Sequence, residues 1–317
     1  MTMFLKPKVT GILLSLCLSQ IIFAQQGDFR SASVDGKKIS YKLFNPEGRK
    51  ENDPILVFEH GIGGGSFEQL FRFLPKTISG IQYDRNGLGQ SEADTNITTD
   101  AQVTERLHEL LHALDIQPPY LLVGHSVGGA YIRLFTARFP KEVCGLVFID
   151  PTDFMLSSQD DAAAKRRSES LTSYQQIWTL NLQTMSREAN VPEGVKNDAK
   201  RALKASTPSF FQEYRDLPLL INIPATVIIS YNKPIEPYEE EMNKTFKLGI
   251  NIKQWWREYD EIRIKNFSDL IRENDNSRVV LLTKYSHGVH FQDPQLVAAL
   301  ILENYDKCSK NHSNKIP

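Results

Sequence analysis

Short apolar runs recur along the chain, and each is followed by a segment of turn or helical character. "PILVFEHG" (Pro54–Gly61) is continuously apolar through its middle, the pattern of a strand covered on both faces. "ISGIQYD" (Ile78–Asp84), "YLLVGHS" (Tyr120–Ser126), "VCGLVFID" (Val143–Asp150), "PATVIIS" (Pro224–Ser230) and "SRVVLLTK" (Ser277–Lys284) read as further strands. Ahead of them, Ser33–Phe44 contains "VDGKKISYKLF", where Asp35-Gly36 is a tight-turn dipeptide before an alternating stretch; a leading antiparallel hairpin is expected.

Between the strands the period changes. Phe67–Pro75 is helix-like, as is Val127–Phe139, and Pro294–Tyr305 forms a final helix. In Asp100–Ile116, residues Val103, Leu107, Leu110, Leu111 and Leu114 fall on one helical face, with Asp100 as the expected N-cap. Regular alternation of this kind predicts an α/β fold, a mostly parallel sheet with helices on both faces.

The rhythm breaks after Asp150. Residues 151–222 are polar and helix-like, with "DDAAAKRRSES" and "VKNDAKRALKA" and no buried strand run, so a helical cap over the strand ends is expected there. Asn232–Asn276 is too long for a plain loop and is expected to hold helices around Glu239 and Trp255. The chain thus divides into a core over 30–150, a cap over 151–222, a second core part over 223–306 and a tail over 307–317.

The first residues stand apart. Lys6 and Lys8 precede an apolar run, Gly11–Phe23, that ends at Ala24 before Gln25 and Gln26, the layout of a secretory signal peptide over residues 1–24. A secreted or periplasmic location follows as an expectation, in which Cys144 and Cys308 are free to pair or to remain separate buried thiols.

Composition narrows the chemistry. The 317 residues are 41% hydrophobic and 24% charged with a formal net charge of −1, enough to bury a large core. Lys and Arg are scattered, so no basic face is available for nucleic acid, and nothing in the composition points to an obligate protein partner. No zinc-type spacing stands out among three cysteines and seven histidines, and no glycine-rich dinucleotide fingerprint follows a strand. Chemistry without cofactor or metal is therefore expected.

One stretch carries candidate chemistry. In "LLVGHSVGGA" (residues 121–130) an apolar strand breaks into Gly124-x-Ser126-x-Gly128 and a small-residue helix start. A sharp strand-to-helix turn holds a serine in strained backbone geometry, and the flanking glycines remove side chains that would clash. A serine hydroxyl is a weak nucleophile and needs a base oriented by a carboxylate. "YSHGVHFQDPQLV" after the last strand offers His287 and His290 for the base.

With those residues in view, the chain resembles the α/β-hydrolase fold superfamily of esterases and lipases. "FEHGIGGG", "YDRNGLGQS", "VGHSVGG", "GLVFIDP" and "SHGVHFQDPQLV" stand in the family's order. The resemblance implies Ser126 as nucleophile and, from its place seven residues before Pro294, His287 as the base, leaving His290 as the minor candidate. It further implies an oxyanion hole from the backbone amides of Ile62 and Val127.

The acid stays open at this level. Most of the family carries it after the strand ending at Ser230, where Glu236 is the nearest carboxylate; some relatives carry it one strand earlier, where Asp150 stands, and Asp150 is preferred. Arg85 in "YDRNGLGQS" is assigned a structural role. Trp255, Trp256, Phe210 and Phe211 are either acyl-pocket or core residues. The expected activity is hydrolysis of a small ester-like substrate through an acyl-enzyme. Amide, thioester or C–C hydrolysis, cofactor-free haloperoxidase chemistry, or a non-catalytic ligand-binding role are the alternatives.

Overall fold

A computed structural model describes residues 29–214 and 216–313, so the expected signal peptide lies outside the described residues. The leading hairpin forms: β1 (Arg30–Val34) and β2 (Lys37–Phe44) pair antiparallel. Asp35 and Gly36 make the turn with φ of 49° and 73°, the left-handed geometry that suits a two-residue hairpin loop.

The sheet continues with β3 (Ile55–Glu59), β4 (Gly80–Tyr83), β5 (Tyr120–His125), β6 (Val143–Ile149), β7 (Ala225–Tyr231) and β8 (Arg278–Thr283). Its order is β1-β2-β4-β3-β5-β6-β7-β8, parallel throughout apart from the two pairings of β2. Alternate residues of the central strands feed two cores. Val57, Leu122 and Leu146 face one side, where α2 (Asp100–Ala113) and α3 (Gly128–Arg138) pack. Leu56, Phe58, Val123 and Val147 face the other, covered by α10 (Pro294–Ser313). Burial on both faces is what the unbroken apolar runs required, at roughly 1.5–3 kcal/mol for each large side chain. Cys144 of β6 and Cys308 of α10 form a disulfide that ties this helix to the sheet.

Two local expectations are corrected. The helix expected over Phe67–Pro75 shrinks to α1 (Glu68–Phe71), because the Phe73 and Leu74 amides bond to Leu70 and Phe71, three residues back, and the chain tightens into turns. The N-cap of α2 is Thr99, not Asp100: Thr99 Oγ1 accepts from the Gln102 amide at 3.2 Å while Gln102 Oε1 accepts from the Thr99 amide at 3.1 Å. Asp100 is instead buried and bonded by Arg201 at 3.2 Å and Tyr214 at 3.0 Å.

Between β6 and β7 the chain forms α4 (Ser158–Arg167), α5 (Tyr174–Arg187) and α6 (Glu193–Ala205). Between β7 and β8 it forms α7 (Pro237–Thr245) and α8 (Ile252–Ile271). These two excursions meet: Tyr259 of α8 donates its hydroxyl to Asp161 of α4 at 2.8 Å, and its oxygen accepts from the Tyr174 amide of α5 at 3.0 Å. A roof over the strand ends is therefore built from both. A short helix, α9 (Val289–Gln292), precedes α10.

Candidate functional site

Strand order positions the site. After β3 the chain adds β4 on one side and then returns to add β5 on the other, so the carboxyl ends of β3 and β5 flank the point where the winding reverses, the usual crevice for ligands in such sheets. The turn "HGIGGG" leaves β3 there, and Ser126 leaves β5.

Ser126 has φ of 56°, a left-handed conformation that a non-glycine residue holds only under local constraint. The constraint is crowding. A Cβ on Gly124 would sit 2.5 Å from the Gly128 carbonyl oxygen, and one on Gly128 would sit 2.4 Å from that of Glu59. Strand, turn and helix therefore close to backbone contact, and the serine side chain is turned outward above the sheet.

Asp150, directly after β6, also has a left-handed φ, 40°, and is buried. Its Oδ1 accepts from the Ser230 amide at 2.8 Å and faces Arg263 Nη1 of α8 at 3.0 Å; its Oδ2 lies 2.6 Å from His287 Nδ1. Burial pushes this carboxyl upward, but the Arg263 guanidinium and the bond from His287 outweigh it and hold it well below the usual carboxylate range. An ionised Asp150 can only accept, so Nδ1 of His287 carries the proton and Nε2 is left with the lone pair. His125 Nε2 meets the His287 carbonyl oxygen at 3.1 Å, and Gln292 Oε1 accepts from the Ser286 amide at 2.8 Å, which fixes the loop carrying this imidazole.

The glycine turn after β3 is held from below. Arg85 is buried and donates to Glu59 at 2.5 Å, to the carbonyls of His60 and Gly61 at 2.7 and 2.6 Å, and to Asp198 of α6 at 2.7 Å. Asp198 in turn accepts from the Gly63 amide at 3.1 Å and from Arg201 at 2.6 Å. Burial raises the Asp198 carboxyl, but Arg85 and Arg201 together bring it down to about 2. The role expected for Arg85 thus extends further than the turn, since it locks the turn to the roof. A Cβ on Gly61 would lie 3.2 Å from Ser126 Cβ, so this turn, with Ile62 next in sequence, abuts the serine and Val127 beyond it.

Ser126, Asp150, His287 and Ile62 all line one cavity of about 240 Å³ under the roof. Its far walls are mainly apolar: Leu156, Ile177, Leu182 and Met185 from the first excursion, and Met242 and Trp256 from the second. Lys233 stands there with its ammonium 3.1 Å from the Trp256 ring centre. Trp255 also lines the cavity, whereas Phe210 and Phe211 pack edge-to-face in the core and do not reach it.

The other candidates fall elsewhere. Glu236 is the N-cap of α7, with its amide bonded to Glu239 at 2.9 Å, and His287 meets Asp150 instead. His290 is buried beside Phe67 and His125, and burial holds it well below its ordinary range, so it stays neutral. His60 and His125 are likewise pushed down by burial to about 3. The residue missed in the sequence is Arg263. Its one signal is the Asp260/Arg263 spacing on α8, an i,i+3 pair at 2.8 Å whose members are largely buried.

A strained serine at a strand-to-helix turn, an imidazole on the loop after the last strand and a buried carboxylate define a class of α/β protein built around a nucleophile elbow. The chain belongs to the α/β-hydrolase family, whose model, described as "alpha/beta hydrolase fold", matches residues 54–312. It is 23% identical over 269 residues to monoacylglycerol lipase ABHD6 of Bos taurus, covering 81% of this chain and 76% of that protein. Human monoglyceride lipase is 31% identical over 127 residues, 38% of this chain and 41% of its own length. YqjL of Bacillus subtilis (strain 168) is 35% identical over 112 residues, and the match spans 34% of this chain and 44% of YqjL. Among solved structures, a putative lipase from Acinetobacter baumannii AYE superposes with a TM-score of 0.63 at 16% identity, over 98% of this chain and 99% of that one, a likeness of fold.

Proposed function

We propose that this chain is a carboxylic ester hydrolase working through an acyl-enzyme on Ser126. One observation carries the reading: the 2.6 Å contact of Asp150 with His287 Nδ1, in a cavity that Ser126 also lines. His287 Nε2 takes the Ser126 proton as Oγ attacks the ester carbonyl. The oxyanion that forms rests on the Ile62 and Val127 amides. His287 then returns the proton to the leaving alcohol, and water, activated by the same nitrogen, releases the acid. Dehalogenase and epoxide-hydrolase chemistry on this fold uses a carboxylate nucleophile, and a serine stands in its place here.

The mainly apolar walls suit an acyl chain or another apolar ester part, and the lipase names among the relatives point the same way. The apolar run at the amino terminus and the Cys144–Cys308 disulfide support export, with a mature chain beginning at Gln25. A panel of p-nitrophenyl esters and monoacylglycerols of increasing chain length tests the substrate class. Turnover of such esters by the wild type and its loss in Ser126→Ala is the expected result; equal turnover by both proteins overturns it.

A further inference from the structure

We propose that His108, His112 and Glu142 form a binding site for a zinc-class divalent cation at the end of the sheet opposite the cavity. His108 and His112 are four residues apart on one face of α2, and Glu142 immediately precedes β6. His108 Nε2 lies 3.2 Å from His112 Nε2 and 3.0 Å from Glu142 Oε2, and all three ligand atoms fall within 4.8 Å of one another. Four ligands at the usual zinc distances sit about 3.3 Å apart along each tetrahedral edge, so two of the three edges already have the right length.

Hydrogen bonding alone serves this arrangement poorly. The Nε2 of a neutral imidazole is either an N–H donor or a lone-pair acceptor. If His108 Nε2 donates to Glu142, it has no lone pair for His112 and a single hydrogen is left among three acceptors. If it accepts from His112, its lone pair faces the carboxylate. A cation at the point of convergence takes one lone pair from each group, and two imidazoles with one carboxylate are a borderline donor set suited to zinc rather than calcium or magnesium.

The three groups are also held in place. The His108 ring stacks on Phe139 at 3.8 Å with an interplanar angle of 7°, and the Glu142 carbonyl accepts from the Tyr120 amide at 2.7 Å at the start of β5. His112 is exposed and the other two half-buried, which leaves room for water as the fourth ligand. The site joins α2 to the start of β6, and the length of that strand separates it from Asp150 by about 25 Å. The spacing His-x-x-x-His is present in the sequence; the third ligand lies 30 residues further on, beyond the reach of a local pattern.

The test is calorimetric titration of the untagged, chelator-treated chain with zinc chloride, alongside His112→Ala and Glu142→Gln. One equivalent bound by the wild type is expected. Each variant should bind about 100-fold more weakly or less, since even the loss of a partner behind a metal ligand costs about 10–100-fold. Zinc should raise the thermal midpoint of the wild type and of neither variant, while circular dichroism and ester turnover stay at wild-type levels without metal. No binding at tens of micromolar zinc, or binding of equal strength in both variants, overturns the proposal.

Discussion

Asp150 and His287 meet at 2.6 Å across the carboxyl end of the sheet, joining the end of β6 to the loop after β8 over the intervening β7. The contact fixes which imidazole nitrogen carries the proton and leaves the other free toward the cavity. Asp150→Asn reverses that preference, because an amide can donate to Nδ1. A fall in kcat of about four orders of magnitude is expected, as for the equivalent change in chymotrypsin-type triads. Glu236→Gln should leave kcat unchanged. Steady-state kinetics on the two variants checks both, and a kcat loss in Glu236→Gln alone would move the acid to α7.

Arg263 lies against Asp150 and favours its ionised form. Burial opposes ionisation of this carboxyl and the guanidinium 3.0 Å away favours it. In Arg263→Gln the burial effect remains and one opposing charge is gone, so the carboxyl titrates at higher pH. The acid limb of kcat/KM is expected to move up by about 1 unit or more, with activity recovering at alkaline pH. A pH–rate profile of parallel shape and reduced height would show that Arg263 does not act through the charge of Asp150.

Asp198 couples roof and turn through charge. Its carboxyl is brought down to about 2 in the folded chain, below the unfolded value of about 4. Its contribution to stability is therefore complete above about pH 4 and is lost as the pH falls toward 2. Asp198→Asn leaves Arg85 and Arg201 short of a buried partner and should cost about 3–5 kcal/mol near neutral pH. Urea unfolding of wild type and variant should show that gap narrowing between pH 4 and 2; a gap independent of pH would exclude the charge as its source.

The Cys144–Cys308 disulfide closes a loop with a sequence separation of 164. In the chain-entropy description, a crosslink of that span stabilises by about 5 kcal/mol. Cys308→Ser should lower the urea midpoint, and the unreduced wild-type chain produced without residues 1–24 should show no free thiol on titration with a thiol reagent.

The strands and the elbow were legible because local constraints write them. A strand buried on both faces needs an apolar run, and a serine in left-handed geometry needs small neighbours at Gly124 and Gly128. The preference for His287 over His290 came from the family resemblance, through its place seven residues before Pro294, and not from its own surroundings. Asp150 was preferred to Glu236 but not separated from it, since only the arrangement of β6, β7 and β8 decides which carboxylate meets the imidazole. The tie from Arg85 to Asp198 and the backing of Asp150 by Arg263 join residues more than 100 positions apart, and no periodicity records such a pairing. The short α1 and the Thr99 cap were misread because turn tightening and a buried aspartate both look like ordinary helix signals.

The proposed hydrolysis requires Ser126 to be an activated nucleophile. Treating the folded chain with a fluorophosphonate and mapping the adduct by peptide mass tests it most directly. One adduct is expected, on the peptide containing Ser126, that disappears in Ser126→Ala and is strongly slowed in Asp150→Asn. A folded protein that remains unlabelled, or one labelled at another residue, would contradict it.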